Sequence, residues 1–88
     1  MRGGIMEIIN DERFYTPAEV KDIVGVSARR LYYWELRGAV HPKLVTLGSR
    51  EFRRYSEKDI EKLKKIKAYL DEGFVLDKAF EKADKEVQ

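Results

Sequence analysis

The 88-residue chain has no cysteine, one histidine, one tryptophan, one asparagine, one glutamine and two prolines. Each shortage closes a route. Without cysteine there is no disulfide staple, thiol nucleophile or thiolate metal site, so packing and helix capping must carry the stability. A lone imidazole, His41, leaves a metal centre to carboxylates alone or to a second chain, and its place before Pro42 reads as a solvated loop. No metal and no other cofactor is expected. No apolar run approaches the roughly 18 residues of a membrane span, and the opening MRGGIMEIIN is too short and interrupted for a secretory signal. The expected location is therefore the cytoplasm. No carboxylate pair, nucleophile beside a base or phosphate-cradling glycine loop stands out, which argues against an enzyme. Scarce amides beside 39% charged residues are a composition shared with heat-adapted proteins.

What is present is enough for one small domain: 43% of the residues are hydrophobic, a modest core for this length. The net charge of +2 is unevenly spread. Residues 28–55 hold seven basic side chains (Arg29, Arg30, Arg37, Lys43, Arg50, Arg53, Arg54) against two acidic ones (Glu35, Glu51), a balance of +5, whereas the remainder is net acidic at −3. A basic segment in an acidic chain is the electrostatic footprint of a local polyanion surface.

The stretch Thr16–Arg37 organises the rest. Thr16 is an N-cap with Glu19 three residues on, Pro17 suits the first helical position, and Tyr15 is placed to staple onto Val20. Val20, Ile23 and Val24 fall on one face at helical spacing, and Gly25 can end the helix in a left-handed conformation with Val26 plugging the turn. Ser27 then caps a second helix over 28–37, closed by Gly38. At about 100° per residue, Leu31 and Trp34, flanked by Ala28, face one way, and Arg29, Arg30, Tyr33 and Arg37 face the other. Guanidinium groups around a phenol suit a polyanion, because arginine pairs bidentately with phosphate or guanine edges and tyrosine donates to phosphate oxygen. The alternative is an ordinary solvated face.

Beyond Pro42, Lys43–Leu47 and Glu51–Tyr55 are β-favouring runs separated by Gly48 and Ser49, a hairpin with Arg50 near its tip and Arg53 and Arg54 on its return strand. It must lean on the helices through residues such as Val45, Phe52 or Tyr55. Ser56 and Asp59 open a third helix with Ile60, Leu63, Ile66 and Leu70 on one face up to Gly73. Its lysines 62, 64, 65 and 67 read as a solvated face, with Glu61 and Lys65 as an i,i+4 pair. Phe74, Leu76, Ala79, Phe80 and Ala83 suggest a last helix whose end, DKEVQ, frays. Residues 1–13 form a separate arm in which Ile5, Met6, Ile8 and Ile9 suit a short strand or packing segment, and Met6 offers a second initiation point. The expected fold is mainly α with a small β-hairpin: a winged helix-turn-helix over 14–88, with four helices and a two-stranded wing.

These residues carry a resemblance. The T-x-x-E-V start at Thr16, G-V-S at 25–27, L-x-Y-W-E at 31–35, Gly38, Pro42, F-R-R-Y-S-E-K-D-I from Phe52 and G-F-x-L at 73–76 resemble the DNA-binding domain of the MerR family. The resemblance implies that Ala28 and Arg29, following Ser27, face bases in the major groove, that Tyr33, Arg53 and wing-tip Arg50 lie along phosphates, and that Leu31, Trp34 and Tyr55 are structural. The sequence departs from the family pattern at Tyr32, where arginine is usual, at Arg30, where a small hydroxyl residue is common, and at Val75, where a capping serine is typical. The wing also reads as slightly longer than usual. The chain ends where family members begin their dimerisation helix and effector domain. It thus looks like the solitary BldC or excisionase type, with no small-molecule effector site and with affinity gained from several copies on DNA.

The expected function is sequence-specific double-stranded DNA binding in transcriptional regulation, within the cytoplasm at the nucleoid. The expected contacts are Ser27, Ala28, Arg29, Arg30, Tyr33, Arg37, Arg50, Arg53 and Arg54, with self-association through surfaces such as the exposed Leu36 or the N-terminal arm. The alternatives are a protein-interaction adaptor on the same scaffold and an excisionase-like architectural protein.

Overall fold

A computed structural model describes residues 13–87. Among them are four helices and three strands: β1 (Phe14–Tyr15), α1 (Pro17–Val20, prolonged by a π turn over Lys21–Gly25), α2 (Ala28–Leu36), β2 (Lys43–Leu47), β3 (Arg50–Ser56), α3 (Glu57–Asp71) and α4 (Leu76–Glu86). The expected arm residues Ile5, Met6, Ile8 and Ile9 lie outside the described residues.

The helix boundaries follow from local chemistry. Thr16 Oγ1 accepts from the Glu19 amide at 3.1 Å while Glu19 accepts from the Thr16 amide at 2.9 Å, a reciprocal capping box. Ser56 and Asp59 repeat it at the head of α3, at 3.1 and 2.9 Å. Ser27 caps α2 by accepting from the Arg30 amide at 3.1 Å. Gly25 turns the chain between α1 and α2 at φ +81°, a conformation in which a Cβ would be strained. At the end of α2, Gly38 at φ +86° allows the Schellman pair of bonds, Gly38 N–H to Glu35 O at 3.0 Å and Ala39 N–H to Trp34 O at 2.9 Å. The same pattern closes α3, with Phe74 N–H reaching Tyr69 O at 3.0 Å.

One face assignment is corrected. Val20 and Val24 are buried, but Ile23 is 42% exposed. The cause is the π turn, in which the Val26 amide reaches back five residues to Lys21 O. A wider turn advances less than the α-helical angle per residue, bringing Val24 into line with Val20 and carrying Ile23 off the edge of the apolar arc.

The sheet has the order β1-β3-β2 and is antiparallel throughout, so the two-stranded wing gains a short third strand in the register Phe14↔Ser56 and Tyr15↔Tyr55. The hairpin turns at Gly48 and Ser49, with Leu47 opposite Arg50. Of the residues expected to seat it, Tyr55 is buried and Val45 and Phe52 only half so. The core joins Tyr15, Val20, Val24, Val26, Leu31, Trp34, Ala39, Val40 and Tyr55 to Ile60, Leu63 and Ile66 of α3 and Ala79 and Ala83 of α4. The two alanines lie on one side of α4 and have no exposed surface, so α4 seats its backbone closely on α3.

The end of α4 is also corrected. The helix continues through Glu86, because Asp84 accepts from Lys62 at 2.7 Å and Glu86 receives the Tyr69 hydroxyl and Lys65, the latter at 3.4 Å. Lys65 therefore pairs across helices rather than with Glu61, because α4 brings a carboxylate within reach. These contacts hold the carboxyls of Asp84 and Glu86 below their ordinary values, through Lys62 and through the Tyr69 hydroxyl respectively.

Val75 occupies the N-cap of α4 in extended conformation and offers no side-chain acceptor. Val75→Ser is expected to raise unfolding stability by about 0.5–1 kcal/mol, and Ser56→Ala to lower it by about 1 kcal/mol. Urea denaturation followed by circular dichroism measures both. A Val75→Ser chain no more stable than the parent would mean that water already satisfies those amides.

Candidate nucleic-acid interface

Helix α2 is held by its buried side. Leu31 and Trp34 are 3% and 1% exposed, and every residue expected on the other side is exposed: Arg29, Arg30, Tyr33 and Arg37. Ser27 and Ala28 at its N-terminal end are also exposed, although Ala28 was expected beside the buried pair. Projection at about 100° per residue puts Tyr32 and Leu36 on the same outward arc as Arg29 and Tyr33. Their exposures of 52% and 66% agree, so the presented face is more aromatic and apolar than its arginines suggest.

The arginines differ in what they touch. Arg29 has no ion-pair partner among the described residues. The Arg30 guanidinium lies over the Trp34 ring at 5.8 Å, a favourable cation–π position that leaves its N–H groups available. Arg37 donates to the Tyr33 hydroxyl at 2.9 Å and to Asp77 Oδ1 at 2.7 Å, stacking on the Tyr33 ring at 5.8 Å. Both bonds favour the charged guanidinium and raise its pKa, the Tyr33 bond foremost.

The wing arginines do not share one surface. Side chains alternate across a strand, and Arg53 lies on the Tyr55 side, toward α2. There its Nε donates to both Glu35 oxygens, at 3.0 and 2.8 Å, and its guanidinium sits 6.0 Å from the Tyr32 ring centre. Arg50 and Arg54 lie on the opposite side, over Phe52 at 5.4 and 5.6 Å, with Lys43 over Phe14 nearby at 5.4 Å. Arg54 also donates to Arg53 O at 2.8 Å. The structure thus groups Ser27, Ala28, Arg29, Arg30, Tyr33 and Arg37 on α2, ties Arg53 to that helix, and separates Arg50 and Arg54.

Glu35 is the joint between wing and helix. Its carboxylate accepts from Arg53 and, at 3.3 Å, from the Tyr55 hydroxyl. Burial, with the Glu35 charge beside it, pushes the Tyr55 hydroxyl up to about 12. On the other flank of α2 a groove of about 630 Å³ is walled by Ser27, Arg29, Arg30 and Tyr33 against Leu70 and Leu76, which brings the start of α4 alongside the same face. Sequence reasoning missed Glu35 and Asp77 as arginine partners, since separations of 18 and 40 residues give no local signal.

The model of the MerR helix-turn-helix family of regulatory proteins matches residues 15–85. The chain belongs to the MerR family. Its fold, mainly helical with a small antiparallel sheet, is consistent with the winged form of that domain, and at the family level it is a DNA-binding regulator. No curated protein matches the chain. Among the described residues no metal-binding cluster is present, and no helix is long and apolar enough to cross a membrane.

The raised Tyr55 pKa has a definite sign. Tyrosine in the unfolded chain ionises near about pH 10, so stability from the neutral hydroxyl is complete below that pH and is lost as pH rises toward the folded value of about 12. Thermal melts from about pH 9 to about pH 12 should show the parent losing stability more steeply than Tyr55→Phe. Parallel curves would show that Tyr55 ionises alike in both states.

Proposed function

We propose that this MerR-family chain is a sequence-specific double-stranded DNA-binding protein that regulates transcription in the cytoplasm. In this reading α2 enters the major groove with Ser27, Ala28 and Arg29 toward the bases, while Arg30, Tyr33 and Arg37 follow the flanking phosphates. The wing lies beside them, with Arg50 at its tip on the backbone or in the minor groove. Arg53 acts by fixing the wing to α2 through Glu35, and Arg54 supplies positive potential from the far side of the sheet. The observation that carries the reading is the exposed arc of Arg29, Arg30, Tyr33 and Arg37 on a helix whose other side is sealed by Leu31 and Trp34. Such a helix presents cations and a phenol in fixed register, as groove readout requires. A single module of this kind buries roughly 600–1,000 Å² on DNA, so useful specificity calls for several copies on adjacent sites.

Selection of sites from random duplex DNA, followed by titration against salt, tests the reading. Arg29→Ala should weaken binding to the selected site by about ten- to a hundredfold and relax the preference at one base pair. Tyr33→Ala should weaken binding to all duplexes more evenly. Binding by both variants at the parental level, with the fold intact by circular dichroism, would remove α2 as the reading element. A chain that enriches no site and shows no salt dependence would favour the adaptor alternative.

A further inference from the structure

The recognition arc carries an anion of its own. Arg37 closes the arc at the C-terminal end of α2, and its guanidinium is divided between two partners. Nη1 donates to the Tyr33 hydroxyl at 2.9 Å, and Nη2 donates to Asp77 Oδ1 at 2.7 Å. Asp77 lies in the first turn of α4 and, together with Arg37, lines a depression between the end of α2 and α4 that is separate from the groove walled by Arg29 and Arg30. By contrast Arg29, Arg30, Arg50 and Arg54 have no carboxylate within ion-pair distance among the described residues. Of the cations assigned to DNA contact, Arg37 is neutralised from outside both helix and wing.

Resting on the DNA-binding reading above, we propose that Asp77 is a built-in competitor for the phosphate that Arg37 would take, and that it suppresses non-specific DNA binding. The Asp77 side chain is 77% exposed and that of Arg37 41%, so the pair sits in high dielectric and is readily exchanged. A phosphate at the same place offers an equivalent oxygen to Nη2, while the Tyr33 bond keeps the guanidinium on the groove side after Asp77 is released. Until that exchange, Arg37 displaces no counterion from DNA, and Asp77 brings a negative charge close to the backbone. Non-specific affinity is almost wholly phosphate neutralisation, so this loss falls on it in full. At a matched site the base-edge contacts of Arg29 fix the register of the duplex and so hold a phosphate at Nη2, which completes the exchange there, whereas a non-specific duplex has no fixed register to do so. The effect is a higher ratio of specific to non-specific affinity, the quantity that matters among a large excess of competing sites.

The experiment compares the parent, Asp77→Asn, Asp77→Glu, Arg37→Ala and the Arg37→Ala/Asp77→Asn double variant on a random-sequence duplex and on the selected site, across a salt series. Asp77→Asn should bind random duplex about five- to tenfold more tightly near 0.1 M salt, and its log–log salt slope should steepen by about 0.9, one additional phosphate. The gain at the selected site should be smaller. Asp77→Glu, which keeps the charge, should behave like the parent, and the double variant should lose the gain. Thermal melts of every variant confirm that α4 remains docked. Weaker binding of Asp77→Asn to both duplexes would overturn the proposal by making Asp77 a positioning group for Arg37. An equal gain with and without Arg37 would overturn it in favour of a general charge effect. A parent chain that binds no duplex at any salt overturns the DNA reading and this proposal together, whereas a parent that binds while Asp77→Asn behaves identically overturns this proposal alone.

Discussion

The burial of Trp34 and Leu31 on one side of α2 is the constraint from which the rest follows. Two large apolar side chains three residues apart fix the rotation of the helix about its axis, because exposing either would return a large hydrophobic area to water. Once that side is sealed, the opposite residues have no freedom to face elsewhere. Arg29, Tyr33 and their neighbours are presented because Leu31 and Trp34 are not. The other elements serve this seat: α1 and its π turn bring Val20 and Val24 against it, α3 supplies Ile60, Leu63 and Ile66, and α4 closes over α3 through Ala79 and Ala83.

Capping and charge pairing then set where the elements stop and how they are joined. With no cysteine available for a covalent tie, two reciprocal capping boxes and two Schellman endings define four helix termini within a short chain. The wing, too small to be stable alone, is anchored by buried Tyr55 and by the Glu35 carboxylate, which receives Arg53 and the Tyr55 hydroxyl together. Glu35 therefore converts a hairpin near α2 into one with a fixed angle to it. The arginine that does this is also one that the family resemblance suggests for DNA contact.

Much of the fold was legible because its signals are local. Thr16 with Glu19, Ser56 with Asp59, Gly25, Gly38 and the Gly48–Ser49 turn act over four residues or fewer, and each took the conformation that its chemistry favours. What was not legible arose from longer range or from a change of period. The π turn displaced Ile23, which no count at α-helical spacing foresees. Strand β1 is two residues long and exists only because β3 lies beside it. Lys65 found Glu86 instead of Glu61 because α4 packs on α3.

The candidate interface divides in the same way. The sequence alone determined that Arg29, Arg30, Tyr33 and Arg37 line the outward face of α2, because helical periodicity and two large apolar side chains suffice for that, although it misplaced Ala28. It also determined the uneven charge, which depends only on composition along the chain. The tertiary structure alone decided which of those cations are free and which are already paired. Arg37 meets Asp77 across 40 residues, Arg53 meets Glu35 across 18, and Arg50 and Arg54 turn to the other side of the sheet. A sequence specifies a charge, but the partner of that charge depends on which distant carboxylate the fold brings within a few ångströms.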